Sequence, residues 1–87
     1  MPTWGEPETI TAADLADGDF VLRLEPARRA AARDVGSGVA ALDWDYQPGR
    51  PGVILRVVTF LDRTTVAIPV TRELVVRRRA GSGEAAA

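Results

Sequence analysis

Three groups of residues in this chain could act on something outside it: a pair of aspartates around a tryptophan, a run of arginines near the C-terminus, and an aromatic pair beside two prolines. Asp43 and Asp45 sit two apart, and on a strand that spacing turns both carboxylates away from the side that carries Trp44. Paired carboxylates can share acid–base work or hold a hard cation such as calcium or magnesium. On an exposed edge strand the same pair simply keeps another strand from docking, which is the reading favoured here. Arg77-Arg78-Arg79 is the sharpest single feature. Guanidiniums grip phosphates bidentately, and each neutralised phosphate adds salt-dependent affinity. Arg56 and Arg63 could extend the patch, and loop residues Arg28, Arg29 and Arg33 would add to that footprint for nucleic acid. Against it stand an isoelectric point of about 5.3 and the lack of a groove-entering helix.

Other chemistry is excluded by what the chain lacks. It has no histidine and no cysteine, so the usual nucleophile–base pairs and zinc sites cannot be built. Its two serines, Ser37 and Ser82, lie in glycine-flanked segments. Gly49 and Gly52 flank a proline-rich turn and open no phosphate-cradling helix. No catalytic residue, cofactor or metal ligand is therefore assigned, and the expectation is a non-enzymatic binding protein.

Trp44 and Tyr46, with Pro48 and Pro51 nearby, could stack nucleobases or line a groove for a proline-rich peptide. The more ordinary role is a lid packed on the domain itself. Trp4 is an arm anchor or an interface residue.

The elements that must position these groups fit one domain of 87 residues. Residues 1–9, with two prolines and two glutamates, read as an extended arm. Thr11-Ala12-Ala13-Asp14 has the form of a capping box and predicts a short helical turn, ended by Asp17-Gly18. Phe20 to Leu24 alternates as a strand, with Phe20, Leu22 and Leu24 on one face. Residues 26–51 read as a long loop: its alanine–arginine run favours helix only in part, and Val39 to Tyr46 could be an edge strand. Val53 to Leu61 and Thr64 to Ile68 form a hairpin about Asp62-Arg63. A 3₁₀ turn at residues 70–72 and a closing strand from Leu74 follow. The single domain spans residues 10–79, and residues 80–87 read as a disordered tail.

Strict alternation gives a core of Leu15, Phe20, Leu22, Leu24, Leu55, Val57, Val66, Ile68, Leu74 and Val76. It leaves a second apolar face of Val21, Ile54, Val58, Phe60 and Val75, which must be covered by the 26–51 loop or by another subunit. The charges are also divided. Residues 1–19 hold five acids and no base, and residues 63–79 hold five arginines and one acid. Ends so charged are expected to lie side by side and neutralise each other.

From Thr11 to Val21 the chain resembles the opening phrase A-x-D-L-x-x-G-D-x-V, and Val66-Ala67-Ile68-Pro69 with Glu73-Leu74-Val75-Val76 is similar to the closing strands of the same proteins. These are small SH3-like barrel proteins of high-GC bacteria and their phages and plasmids, mostly of unassigned function. The likeness covers residues 10–25 and 53–78. It implies a mainly β, SH3-like barrel with one N-terminal helical turn and a long loop between the first and middle strands. The same phrase resembles the start of self-splicing intein-type domains, whose chemistry needs the cysteine and histidine missing here.

The functional expectation is a protein–protein binding or assembly module, with a homo-oligomer or another protein as partner through Val21, Ile54, Val58, Phe60, Val75, Trp44 and Tyr46. The alternative is a nucleic-acid accessory protein using Arg77, Arg78 and Arg79 with Arg28, Arg29 and Arg33. No export leader or membrane span is legible, since the apolar run Gly52 to Leu61 is too short and carries Arg56. A cytoplasmic location is the expectation that follows.

Overall fold

The computed structural model describes residues 3–80, and more than half of that span is strand. In chain order the strands are β1 (Thr3–Trp4), β2 (Glu8–Thr11), β3 (Phe20–Leu24), β4 (Arg33–Tyr46), β5 (Ile54–Phe60), β6 (Thr65–Pro69), β7 (Glu73–Arg77) and β8 (Arg79–Ala80). One 3₁₀ turn, Ala12–Asp14, separates β2 from β3. Six strands make an antiparallel sheet in the order β2-β7-β3-β4-β5-β6, while β1 and β8 form a two-stranded ribbon. The expected arm is therefore two added strands. Its first tryptophan anchors it: the Trp4 ring lies 5.7 Å from that of Phe20.

β4 serves both halves of the sheet. Its first residues, from Arg33 to Gly38, pair with β3, and from Val39 to Tyr46 it pairs with β5. The long loop expected over residues 26–51 is thus mostly this strand. Ala27 and Ala30 exchange backbone hydrogen bonds of 2.8 and 3.1 Å around Arg28 and Arg29, so a tight turn stands where helical propensity pointed. The reason is packing. An alanine–arginine segment has no large apolar side chain to dock a helix, so it turns tightly at Ala27–Ala30 and only its last residues, Arg33 and Asp34, pair with β3. Gly38 lies inside β4 because Leu61 covers it; a Cβ there would sit 2.9 Å from Leu61 Cδ1.

Turns differ from expectation in detail. Thr11 makes no side-chain capping bond. Instead the N–H groups of Ala12 and Ala13 donate to Arg72 O and Val70 O at 2.9 and 3.0 Å, so the backbone between β6 and β7 caps the 3₁₀ turn. That β6–β7 connection is a single turn closed by Arg72 N–H to Pro69 O, at 2.9 Å, in place of a 3₁₀ helix. Gly18 has φ 87°, the positive value a glycine supplies cheaply after the helical turn. In the β5–β6 turn, Asp62 accepts from the Thr64 hydroxyl at 2.6 Å and from its N–H at 2.9 Å. The hydroxyl bond and then the N–H bond hold the Asp62 carboxyl below its ordinary value of 3.8. The expected tail lies, from residue 81 on, outside the described residues.

The core combines Ala12 and Leu15 with Val21, Leu24, Val39, Val58, Phe60, Ile68, Leu74 and Val76. Of the expected core, Leu15, Leu24, Ile68, Leu74 and Val76 are buried, whereas Phe20, Leu22, Leu55, Val57 and Val66 are half-buried. Two irregularities account for the difference. A bulge between Val21 and Arg23 inserts one residue into β3, so Val21 and Leu24 point inward together and period-two counting fails across it. In β5 the inward phase is Arg56, Val58 and Phe60. Both phases of that strand are apolar except at Arg56 and Thr59, and a charge normally marks the outer face. Here the charged residue is on the inner one.

Candidate functional site

Three of the seven residues expected to form an interface are interior. Val21, Val58 and Phe60 lie in the core, and Val75 is half-buried on the sheet's opposite face, across from Thr9 and Arg23. A second apolar face of the composition expected from alternation does not exist.

What remains exposed is one end of the β4–β5 hairpin. Cross-strand pairs put Leu42 with Val58, Trp44 with Arg56, and Tyr46 with Ile54 on one face. Along β5 that face opens progressively: Val58 is 1% exposed, Arg56 8% and Ile54 40%. Trp44 and Tyr46 are 54% and 70% exposed, so they are not a lid on their own domain. The inner face of the sheet runs out from beneath the core and continues as an open aromatic surface.

Arg56 is the hinge between the two. Its guanidinium carbon lies 3.7 Å from the centroid of the Trp44 ring, and Nη2 donates to Leu15 O at 3.1 Å. Its Nε is buried without a hydrogen-bond partner, and among the described residues no carboxylate pairs with it. The ring's electron-rich face therefore carries much of the stabilisation of this charge. In turn the arginine packs against one side of the Trp44 ring, and the residue stays 54% exposed.

The aspartates on either side of Trp44 serve the backbone. Asp43 Oδ1 accepts the Trp44 N–H and Asp45 Oδ1 accepts the Tyr46 N–H, both at 2.8 Å. Gln47 N–H donates inward to Val53 O at 3.0 Å, so by alternation the N–H groups of Trp44 and Tyr46 face the free edge. The carboxylates plug that edge against strand addition. Among the described residues no group of three or more acidic side chains is placed to hold a metal ion.

The arginines expected to act together are separated. Arg77 Nη1 donates to Gly5 O at 3.4 Å, and Arg78 Nη2 donates to Asp14 O at 2.8 Å. Arg78 Nε also lies 3.7 Å from the buried Asp19 carboxylate and 3.9 Å from Glu8. These two arginines clasp the acidic N-terminal segment, as charge segregation predicts. Arg79 belongs to β8, and its side chain lies outside the described part. Arg28 and Arg29 stand at the other end of β7: they line a hollow of about 610 Å³ with Arg72, Glu73 and Arg50. Residues 72 and 77 are about 16 Å apart along an extended strand. Arg33 turns elsewhere, into a smaller hollow of about 110 Å³ beside Asp34 and Asp62. Arg72 is one of the five arginines of the basic segment 63–79, whereas Arg50 has no marking in the sequence beyond its place in a proline-bounded turn.

No family model matches the chain, and comparison with curated proteins and with solved structures likewise finds no match. Among the described residues no helix is long and apolar enough to cross a membrane.

Proposed function

We propose that this chain is a non-enzymatic protein-binding module that docks through the aromatic face of the β4–β5 hairpin. The observation that carries the reading is the exposure of Trp44, Tyr46 and Ile54 together on one face, with Arg56 holding Trp44 from beneath. Isolated exposed apolar residues need no explanation, but a contiguous aromatic cluster does. At about 200 Å² per ring, the two aromatics present roughly 250 Å² of accessible surface. That is about a third of the ~800 Å² each partner contributes to a standard interface, so they would form its centre and hydrogen-bonding neighbours its rim. Docking uses side chains, since Asp43 and Asp45 occupy the edge donors that an incoming strand would need.

The finer architecture inferred is an SH3-like barrel. Supporting it are the β3-β4-β5-β6 meander, the return of β7 beside β3, and the sharing of β4 between two sets of partners. A second copy of the chain is the partner to test first. Light scattering over a concentration series should show an assembly that Trp44→Ala/Tyr46→Ala reduces to monomer. Each anchor should weaken association by at least about 30-fold, the size of a hot-spot loss of ~2 kcal/mol. A wild-type assembly unchanged by the double substitution would refute the assigned face. A wild-type chain that stays monomeric would leave only a different protein as the occupant.

A further inference from the structure

The hollow at the Arg72 end of β7 is a feature the aromatic face does not use. Three separate turns converge there: Arg28 and Arg29 from the β3–β4 turn, Arg50 from the β4–β5 turn, and Arg72 from the β6–β7 turn. Arg72 is oriented by carbonyls, with Nε donating to Glu25 O at 2.8 Å and Nη2 to Ala31 O at 3.2 Å. Carbonyls fix a guanidinium without cancelling its charge. Among the described residues no carboxylate pairs with Arg28, Arg29, Arg50 or Arg72, and Glu73 is the one acid on the lining.

Local structure asks for Arg72, which ties two carbonyls, but not for Arg28 or Arg29. Arg28 and Arg29 are the exposed central residues of a tight turn closed entirely by backbone bonds of Ala27 and Ala30, a setting where small polar residues serve as well. Four like charges gathered around a single acid, Glu73, oppose one another, and an anionic ligand would relieve that opposition. The volume falls within the range of ligand sites, roughly 300–1,000 Å³. The lining contains prolines, alanines and a threonine but no aromatic ring, so a base would find nothing to stack on.

We propose that this hollow binds the phosphodiester backbone of a nucleic acid strand, without reading its bases. The overall charge of −1 does not oppose this, because two acids of the N-terminal segment, Glu8 and Asp19, lie beside Arg78 at the other end of β7. The footprint comprises Arg28, Arg29, Arg50 and Arg72, in place of the Arg77-Arg78-Arg79 run.

The test is fluorescence anisotropy of a labelled single-stranded 12-mer, titrated with the full chain at several salt concentrations. Arg28→Ala/Arg29→Ala should weaken binding about tenfold or more and flatten the salt slope by about 1.4, at roughly 0.7 per lost phosphate contact on a single strand. Arg33→Ala/Arg63→Ala removes the same charge away from the hollow and should do markedly less. Urea melts of both variants confirm folding, because all four side chains are exposed. Equal losses in the two variants, or no binding by the wild type at low salt, would overturn the proposal. Competition by tripolyphosphate or a polyglutamate peptide as strong as by unlabelled 12-mer would overturn the strand as the ligand.

Discussion

The inward phase of β5 decides which residues are core and which are surface, and two adjacent valines test it. Val58 is 1% exposed within the core cluster, whereas Val57 is half-buried on the opposite face across from Asp43 and Ala67. Val→Ala removes two methyl-sized groups. At about 0.8 kcal/mol each, with a further contribution from the unfilled space, Val58→Ala should cost about 2–3 kcal/mol. Val57→Ala loses partial burial and leaves no enclosed cavity, so its cost should stay below about 1 kcal/mol. A domain of this size has a total stability of order 4–12 kcal/mol, so Val58→Ala remains measurable. Phe60→Ala, at about 3–5 kcal/mol, brings the chain near collapse. In urea melts followed by circular dichroism, with a slope near 1 kcal/mol/M, the Val58 midpoint should fall by about 2 M or more and the Val57 midpoint by less than 1 M. If Val57→Ala were the more damaging change, the strand would face the other way. The interior place of Phe60 and the open end of the hairpin would then both be wrong.

Two further outcomes follow from single features. Arg63 has φ 73°, a left-handed conformation that costs a side-chain-bearing residue about 1–2 kcal/mol. Arg63→Gly should therefore raise stability by about 0.5–1 kcal/mol after the entropy of glycine is counted, and an unchanged or lowered melting temperature would contradict the turn geometry. Asp43→Ala/Asp45→Ala frees the edge N–H groups of Trp44 and Tyr46. That variant should form larger, strand-paired assemblies in light scattering with little loss of monomer stability, and a size distribution identical to wild type would remove the plugging role.

Strand content, the β5–β6 hairpin and the closing strand β7 were legible because β-branched runs bounded by turn residues leave few alternatives. So was the meeting of the oppositely charged ends, which rests on elementary electrostatics. The faces of β3 and β5 were not. A bulge leaves no mark in residue type, and Phe20-Val21-Leu22 is apolar at every position it shifts. Arg56 misled for a physical reason: a buried guanidinium is tolerable only where a ring and a carbonyl await it, and those partners come from Trp44 and Leu15. The arginine hollow was half legible. Arg28 and Arg29 stood out, but Arg50 and Arg72 join them only through the convergence of three turns far apart in sequence.

The pairing of Thr3 with Ala80 gives the molecule two unlike poles. Any chain joined before the first of these residues or after the second departs from the same spot, and the start of β7, with Arg72 and Glu73, lies up to about 25 Å away. The β1–β8 ribbon is thus a two-legged stem. A host loop could receive this unit there without having to span it.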